Sequence, residues 1–124
     1  MASSANILLV EDEPDIVNFM ERMLRRAGYT VCTVIDGLAA VTAITVNPPV
    51  VMILDLVLPI MSGWAVLEQL HHHQCHVPVI VMTANPSVSA RLSGYGVQQY
   101  LVKPFLIGEL LAALADVYHA QRHC

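Results

Sequence analysis

Five polar side chains stand at the ends of apolar runs, and their types could support chemistry on a charged substrate. They are Glu11, Asp12, Asp55, Thr83 and Lys103. Asp55 directly follows residues 50–54, an apolar run typical of a strand that is buried on both faces. A carboxylate at the carboxyl end of such a strand can be a metal ligand, a nucleophile or the cap of the next helix.

The apolar runs predict five strands that alternate with five helical segments. The predicted strands are residues 6–10, 29–35, 50–54, 77–82 and 99–102, and the predicted helices are residues 14–27, 38–46, 62–72, 86–94 and 106–121. This alternation implies parallel pairing with right-handed crossovers, and hence a doubly wound α/β fold. Neither a repeat nor a linker nor a low-complexity segment interrupts the sequence, so we expect one domain over residues 1–124.

Composition and charge narrow the class of protein. Apolar residues make up 56% of the 124, yet charged residues, proline or glycine interrupt the apolar runs before membrane-spanning length, and we expect no export signal. Six lysines and arginines against ten aspartates and glutamates give a formal charge of −4, which provides no electrostatic basis for nucleic-acid binding. Three widely spaced cysteines predict reduced thiols in a cytoplasmic protein: Cys32, Cys75 and Cys124.

Parallel pairing brings the strand ends to one edge of the sheet, so the five polar side chains are expected to meet there. Three carboxylates at that edge repel one another, and one lysine offsets only part of the repulsion. A hard divalent cation relieves it, and Mg²⁺ suits a site with few carboxylates that also receives phosphate oxygens. Asp55 could then attack phosphorus, while Mg²⁺, Lys103 and the Thr83 hydroxyl stabilise charge on the phosphoryl oxygens.

The same residues give the chain a resemblance to a known family over nearly its whole length. The matching motifs are Glu11-Asp12, residues 55–63 (DLVLPIMSG), Thr83-Ala84 and residues 100–105 (YLVKPF). With these motifs the chain resembles the receiver domain of two-component response regulators. We therefore expect a single receiver domain, with five parallel strands in the flavodoxin-like order 2-1-3-4-5 and a (βα)5 succession.

The resemblance implies a phosphoacceptor and a metal site. Asp55 would accept a phosphoryl group from a phosphohistidine on a sensor histidine kinase or a phosphotransfer protein. Asp12, Asp55 and the backbone carbonyl of Val57 would bind Mg²⁺ directly, and Glu11 would act through water.

The resemblance also implies a conformational switch. Thr83 and Lys103 would contact the phosphoryl group, and Tyr100 would turn inward when the Thr83 region closes on it. The bond between Lys103 and Pro104 would be cis. The face of the fourth helix, fifth strand and fifth helix would then contact a downstream effector, a fused output domain or a second copy of the chain. We expect no nucleic-acid or membrane partner for this domain.

Other functions use some of the same residues. A hydrolase with an aspartyl-phosphate intermediate resembles this site, but Val57 occupies the place of its general acid/base and cannot transfer protons. A flavodoxin-like flavin binder needs a phosphate loop after the first strand, where Glu11, Asp12 and Glu13 would repel phosphate. A receiver fold that signals by binding partners without phosphorylation is also compatible with the sequence.

Two local features lead to separate expectations. Val57 stands two residues after Asp55 and cannot orient an attacking water, so we expect it to slow hydrolysis of a phosphorylated Asp55. Residues 71–76 (HHHQCH) supply four imidazoles and a thiol, but neighbouring residues on a helix point in different directions. We therefore expect a solvated helix end there rather than a closed zinc site.

Overall fold

A five-stranded parallel sheet forms the centre of the molecule. The structure is a computed structural model that describes residues 6–97 and 99–122. Within these residues the strands are β1 (Asn6–Val10), β2 (Thr30–Val34), β3 (Val51–Asp55), β4 (Val79–Thr83) and β5 (Gln99–Val102). They pair in the order β2-β1-β3-β4-β5, and each pairing is parallel. The predicted fold class and strand order are confirmed.

Helices cover both faces of the sheet. In the described residues they are α1 (Pro14–Arg26), α2 (Gly37–Val46), α3 (Gly63–His72), α4 (Ser89–Ser93) and α5 (Ile107–Arg122), with a 3₁₀ turn at Pro86–Val88 before α4. α2, α3 and α4 pack on one core cluster, to which Ile44, Leu67 and Leu92 belong. α1 and α5 pack on the other, which includes Leu24 and Leu114. The fold is therefore doubly wound.

β3 lies between β1 and β4 and carries Asp55 to the edge of the sheet. All five of its residues are buried, and its apolar side chains alternate between the two core clusters, as Leu54 and Ile53 do. A charged group at the end of such a strand needs hydrogen-bond or ion partners, because an unpaired charge in an apolar interior is costly.

The structure moves several predicted boundaries by one or two residues. Asp55 is the last residue of β3 rather than the first residue after the strand, and it pairs with Met82 of β4. β4 begins at Val79 instead of residue 77, because Pro78 has no N–H to donate to the sheet. The predicted helix over residues 86–94 splits into the 3₁₀ turn and α4, because Ser87 departs from helical backbone angles.

The two cysteines among the described residues are not joined in a disulfide. Cys32 and Cys75 are free thiols, and Cys124 lies outside the described residues. None of the described helices combines the length and apolar character needed to cross a membrane.

Candidate functional site

The carboxyl ends of four strands meet at one edge of the sheet. Glu11 follows β1, Asp55 ends β3, Thr83 ends β4 and Lys103 follows β5. These four strands are consecutive in the sheet, so their ends stand side by side. β2 lies beyond β1 at the border of the sheet, and Asp36, two residues after β2, caps α2 by accepting a hydrogen bond from the Ala39 N–H.

Asp55 has one partner on each of its carboxylate oxygens. The Lys103 ammonium donates a hydrogen bond to Oδ2 at 2.7 Å, and the backbone N–H of Val57 donates to Oδ1 at 3.0 Å. Only 4% of Asp55 is exposed, so its charge depends on these donors. Asp55 is not the cap of α3, because the Ser62 hydroxyl has that place and accepts from the backbone N–H of Ala65.

Glu11 is more deeply buried than Asp55, and only one of its two carboxylate oxygens accepts a hydrogen bond from the described residues. Its Oε2 accepts a hydrogen bond from the backbone N–H of Glu13 at 3.1 Å. Its Oε1 lies 3.5 Å from the Lys103 ammonium, which is an ion-pair distance, yet it accepts no hydrogen bond from the described residues. A buried oxygen without a donor is a place where water or a cation binds.

Burial and neighbouring charges shift the pKa values of Glu11 and Lys103. Burial raises the pKa of Glu11 and the charge of Asp55 adds to this, against the lowering effects of the Glu13 N–H and of Lys103. Burial alone would lower the pKa of Lys103, but the hydrogen bond and charge of Asp55, together with Glu11, outweigh it and raise that pKa. The lysine is therefore held in its charged form, whereas the charge on Glu11 is costly.

Three carboxylates are close enough to share a cation. Oxygens of Glu11, Asp12 and Asp55 all lie within 4.8 Å of one another, and the residues described here contain no other such group of three His, Cys, Asp or Glu ligands. Asp12 is exposed, and the cavity in front of the three carboxylates, of about 560 Å³, is also lined by Val57 and Lys103. An all-oxygen donor set with an open side fits Mg²⁺, which keeps several waters. The buried Glu11 Oε1 without a hydrogen-bond donor supports the same fit.

Thr83 and the peptide bond after Lys103 lie at the same edge of the sheet, whereas Tyr100 lies two residues before the end of β5. The Thr83 hydroxyl accepts a hydrogen bond from the backbone N–H of Asn85 at 3.0 Å, so it is engaged with the loop after β4. The Thr83 carbonyl accepts from the backbone N–H of Lys103 at 2.8 Å, which joins the ends of β4 and β5. Tyr100 is half-buried in β5 and packs against the core cluster under α2, α3 and α4. The Lys103–Pro104 bond is cis.

The glycine at the start of α3 is a site residue that the sequence reasoning missed. A Cβ on Gly63 would lie 2.5 Å from the carbonyl oxygen of Asp55 and 2.6 Å from Cα of Leu56. Gly37 has a similar role, because a Cβ there would overlap the carbonyl of Met61 in the loop between β3 and α3. Residue 63 belongs to the matching motif, but no spacing in the sequence reveals that its backbone touches that of Asp55.

The histidine-rich segment lies apart from this centre. His71, His72, His73 and His76 are exposed at or beyond the end of α3. In the described part of the chain, these imidazoles and the Cys75 thiol gather no three ligand atoms within 4.8 Å of one another. Among the described residues, the side chains already placed to share a metal ion are Glu11, Asp12 and Asp55 at the edge of the sheet.

Comparison with known proteins identifies the family. The family model for the response regulator receiver domain matches residues 7–115. The transcriptional regulatory protein PrrA of Mycobacterium tuberculosis is 38% identical over 112 residues, which are 89% of this chain and 48% of that protein. The chain thus spans about half the length of the curated relatives it matches.

Solved structures show the same fold. The receiver domain of the Francisella response regulator 1452 has a TM-score of 0.87 and 27% identity, covering 94% of this chain and 98% of that one. The receiver domain of the sensor histidine kinase PA1611 from Pseudomonas aeruginosa has a TM-score of 0.84 and 31% identity, covering 94% of this chain and 99% of that one, and it holds a magnesium ion coordinated in its active-site cleft. The chain belongs to the family of response regulator receiver domains of two-component systems.

Proposed function

We propose that the chain is a phosphorylation-dependent signalling switch in which Asp55 accepts a phosphoryl group, with Mg²⁺, from a phosphohistidine of a sensor histidine kinase or phosphotransfer protein. The main support is the buried Asp55 carboxylate, which contacts Lys103 at 2.7 Å and lies within 4.8 Å of two further carboxylates. A nucleophilic carboxylate, a fixed cation and a set of metal-binding oxygens are the parts that phosphoryl transfer to an acid requires.

The metal ligands would be Asp12, Asp55 and the backbone carbonyl of Val57, with Glu11 acting through water. A bound Mg²⁺ supplies positive charge that offsets the repulsion among the carboxylates and attracts phosphate oxygens. Glu11 Oε1, which accepts no hydrogen bond from the described residues, would accept from a water beside the ion. The magnesium ion in the PA1611 receiver domain is consistent with this assignment.

In the transfer step, an oxygen of Asp55 bonds to phosphorus and the bond between phosphorus and the donor's imidazole nitrogen breaks. The electron pair stays on that nitrogen, which takes up a proton and leaves as neutral imidazole. Lys103 gives up its hydrogen bond to Asp55 Oδ2 and donates to a phosphoryl oxygen, and the Thr83 hydroxyl donates to another. These donors offset the added negative charge in a partly buried site.

The switch would follow from a change of partner at Thr83. Its hydroxyl is engaged with the Asn85 N–H, so turning it to the phosphoryl group displaces the loop that leads to α4. Tyr100 would turn inward with that loop. The phosphoryl group shifts the population because it interacts better with this conformation than with the resting one. The changed face of α4, β5 and α5 would then contact an effector, a fused output domain or a second copy of the chain.

The proposed function also specifies the extent of the domain, its catalytic activity and its location in the cell. The chain would act as one receiver domain over residues 1–124 and would catalyse only its own phosphorylation and dephosphorylation. A cytoplasmic location fits the free thiols of Cys32 and Cys75. The formal charge of −4 gives no support for nucleic-acid contact by this domain.

Incubation with Mg²⁺ and acetyl phosphate, followed by measurement of the intact mass, tests the proposal. We expect the parent chain to gain one phosphoryl group, Asp55→Asn to gain none, and EDTA to suppress the gain. Asp36→Asn is the matched control, because Asp36 caps α2 through the Ala39 N–H, outside the acidic centre, and asparagine keeps that cap.

Absence of a gain in the parent chain would contradict the proposal and would favour partner binding without phosphorylation. A gain that persisted in Asp55→Asn would assign the chemistry to another residue.

A further inference from the structure

Five side chains form a surface cluster between α3 and the end of α4, away from the acidic edge. We call it the α3–α4 tether, and its members are Trp64, Glu68 and His71 of α3, Arg91 of α4, and Tyr95 just after α4. The three α3 residues are spaced four and three apart, so they lie on one stripe of the helix. That stripe faces the two side chains contributed by α4 and the turn that follows it.

Four contacts hold the tether together. The Arg91 guanidinium lies 3.8 Å from the centre of the Trp64 ring, a cation–π contact. The Tyr95 hydroxyl donates a hydrogen bond to Glu68 Oε1 at 2.9 Å. The Tyr95 ring lies 6.4 Å from the Trp64 ring and 5.8 Å from the His71 ring, the latter edge-on. The middle of α4 and the turn after it are thereby joined to α3.

α4 has few other anchors. It is five residues long, and Leu92 is its one buried residue, next to the buried Val88 of the preceding turn. Irregular backbone at Ser87 and a positive φ at Gly96 bound the region on either side. A helix this short is not stable by itself. Its position therefore depends on this small apolar contact and on the tether.

α4 also follows Thr83 closely in the sequence. Residues 84–88 connect them, and the Thr83 hydroxyl accepts its hydrogen bond from Asn85 within this connection. Turning that hydroxyl towards a phosphoryl group on Asp55 gives up the bond and shifts the connection, which ends at α4. Contacts that fix α4 therefore oppose the movement of Thr83.

We propose that Arg91 and Tyr95 are positioning residues that hold α4 in its resting place and thereby limit the rate at which Asp55 is phosphorylated. The inference rests on the proposed function. A reaction that needs one of two conformations proceeds in proportion to the population of that conformation. If the contacts of Arg91 and Tyr95 exist only in the resting conformation, weakening them raises the population of the conformation that can be phosphorylated. The rate of phosphorylation of Asp55 then rises in proportion.

Two variants weaken the tether in different ways. Arg91→Gln removes the charge that stacks on Trp64, and Tyr95→Phe removes the hydroxyl that donates to Glu68 while keeping the ring. Arg26→Gln is the matched control, because Arg26 is exposed in the last turn of α1, on the opposite face of the sheet.

With Mg²⁺ and acetyl phosphate, we expect both tether variants to be phosphorylated about two- to fivefold faster than the parent, the factor that corresponds to one exposed cation–π or hydrogen-bond contact. Arg26→Gln should react at the parental rate. A merely structural role would leave the rate unchanged or reduce it. Parental or lower rates in both variants would overturn the inference.

Measurements on the unphosphorylated chain separate this inference from the proposed function. We expect amides of residues 89–93 to exchange faster in both variants, and the emission of Trp64, the single tryptophan of the chain, to change in Arg91→Gln. If the parent gained no phosphoryl group, the proposed function would fail and amide exchange alone would decide whether the tether holds α4. Parental exchange at residues 89–93 in both variants would then overturn it.

Discussion

Lys103 contacts two of the three carboxylates at the edge of the sheet, Asp55 at 2.7 Å and Glu11 at 3.5 Å. The third, Asp12, is exposed beside them. One positive charge thus faces three negative charges, two of which are buried. Repulsion in the resting site is relieved by a divalent cation, by protonation or by removal of one carboxylate charge.

Glu11→Gln tests this charge balance. Because burial raises the pKa of folded Glu11 above its ordinary value of 4.5, its ionised form opposes folding at neutral pH. The folded chain binds the proton more tightly, so the parent should gain stability as the pH falls through the raised pKa towards 4.5. In EDTA near neutral pH, we expect the variant to be more stable than the parent.

Urea unfolding at neutral pH and at about pH 5 measures the free energy of unfolding of both chains. The difference in this free energy between Glu11→Gln and the parent should shrink at the lower pH. The control is Asp116→Asn, since Asp116 is exposed on α5. A difference that stayed the same at both pH values would contradict the assignment of the repulsion to Glu11.

Val57 illustrates how backbone and side chain can have separate roles. Its N–H donates to Asp55 Oδ1 at 3.0 Å, whereas its side chain is 81% exposed at the mouth of the cavity. Val57→Asn keeps the N–H contact and adds a group that can orient water. We expect the variant to lose its phosphoryl group about tenfold faster.

The decay of intact phosphorylated mass after removal of the donor measures this rate. Val46→Asn is the control, because Val46 is 78% exposed at the end of α2 and lies outside the cavity. Equal lifetimes in Val57→Asn and the parent would show that the side chain at residue 57 does not limit hydrolysis.

At the scale of elements, a close backbone contact joins the end of β3 to the start of α3. The N–H of Gly63 donates to the carbonyl of Leu56 at 3.0 Å, and the Ser62 cap fixes the first turn of the helix. α3 can approach this closely because residue 63 has no Cβ. The position of the Asp55 backbone therefore depends on a glycine in the next element.

Gly63→Ala tests this dependence. Its Cβ would lie 2.5 Å from the Asp55 carbonyl oxygen, so backbone must move, and we expect a loss of about 1–3 kcal/mol in the free energy of unfolding. Gly108→Ala is the matched control, because nothing lies within 4 Å of a Cβ there and the residue is helical. We expect the control to be as stable as the parent or up to about 1 kcal/mol more stable. Equal denaturation midpoints for Gly63→Ala and the parent would contradict the account.

The sequence was informative about elements and less informative about contacts between them. The strands and their shared edge could be predicted, because apolar runs mark buried strands and parallel pairing fixes where Asp55 and Lys103 lie. The irregular backbone at Ser87 could not be predicted, because serine is tolerated in helices as well as in turns. The close approach of Gly63 to Asp55 is a distance between two backbones, which no residue pattern encodes.

At the scale of the whole molecule, the two faces of the sheet differ in what they pack. One face carries α1 and α5 on one core cluster, and the other carries α2, α3 and α4 on a second. Phosphorylation at the shared edge would act on the second face through Thr83 and α4, where the tether opposes movement. The contacts of the phosphoryl group with Thr83 favour the switched conformation, and the contacts of the tether with α4 favour the resting one. Their relative strength would set the fraction of switched molecules.

The most direct test of the account is to locate the phosphoryl group in the chain. After reaction with acetyl phosphate and Mg²⁺, borohydride reduces an acyl phosphate to an alcohol, and peptide mass analysis then identifies the modified residue. We predict the alcohol at residue 55, and none when Mg²⁺ is withheld. Reduction at another carboxylate, or at none in the phosphorylated parent chain, would contradict it.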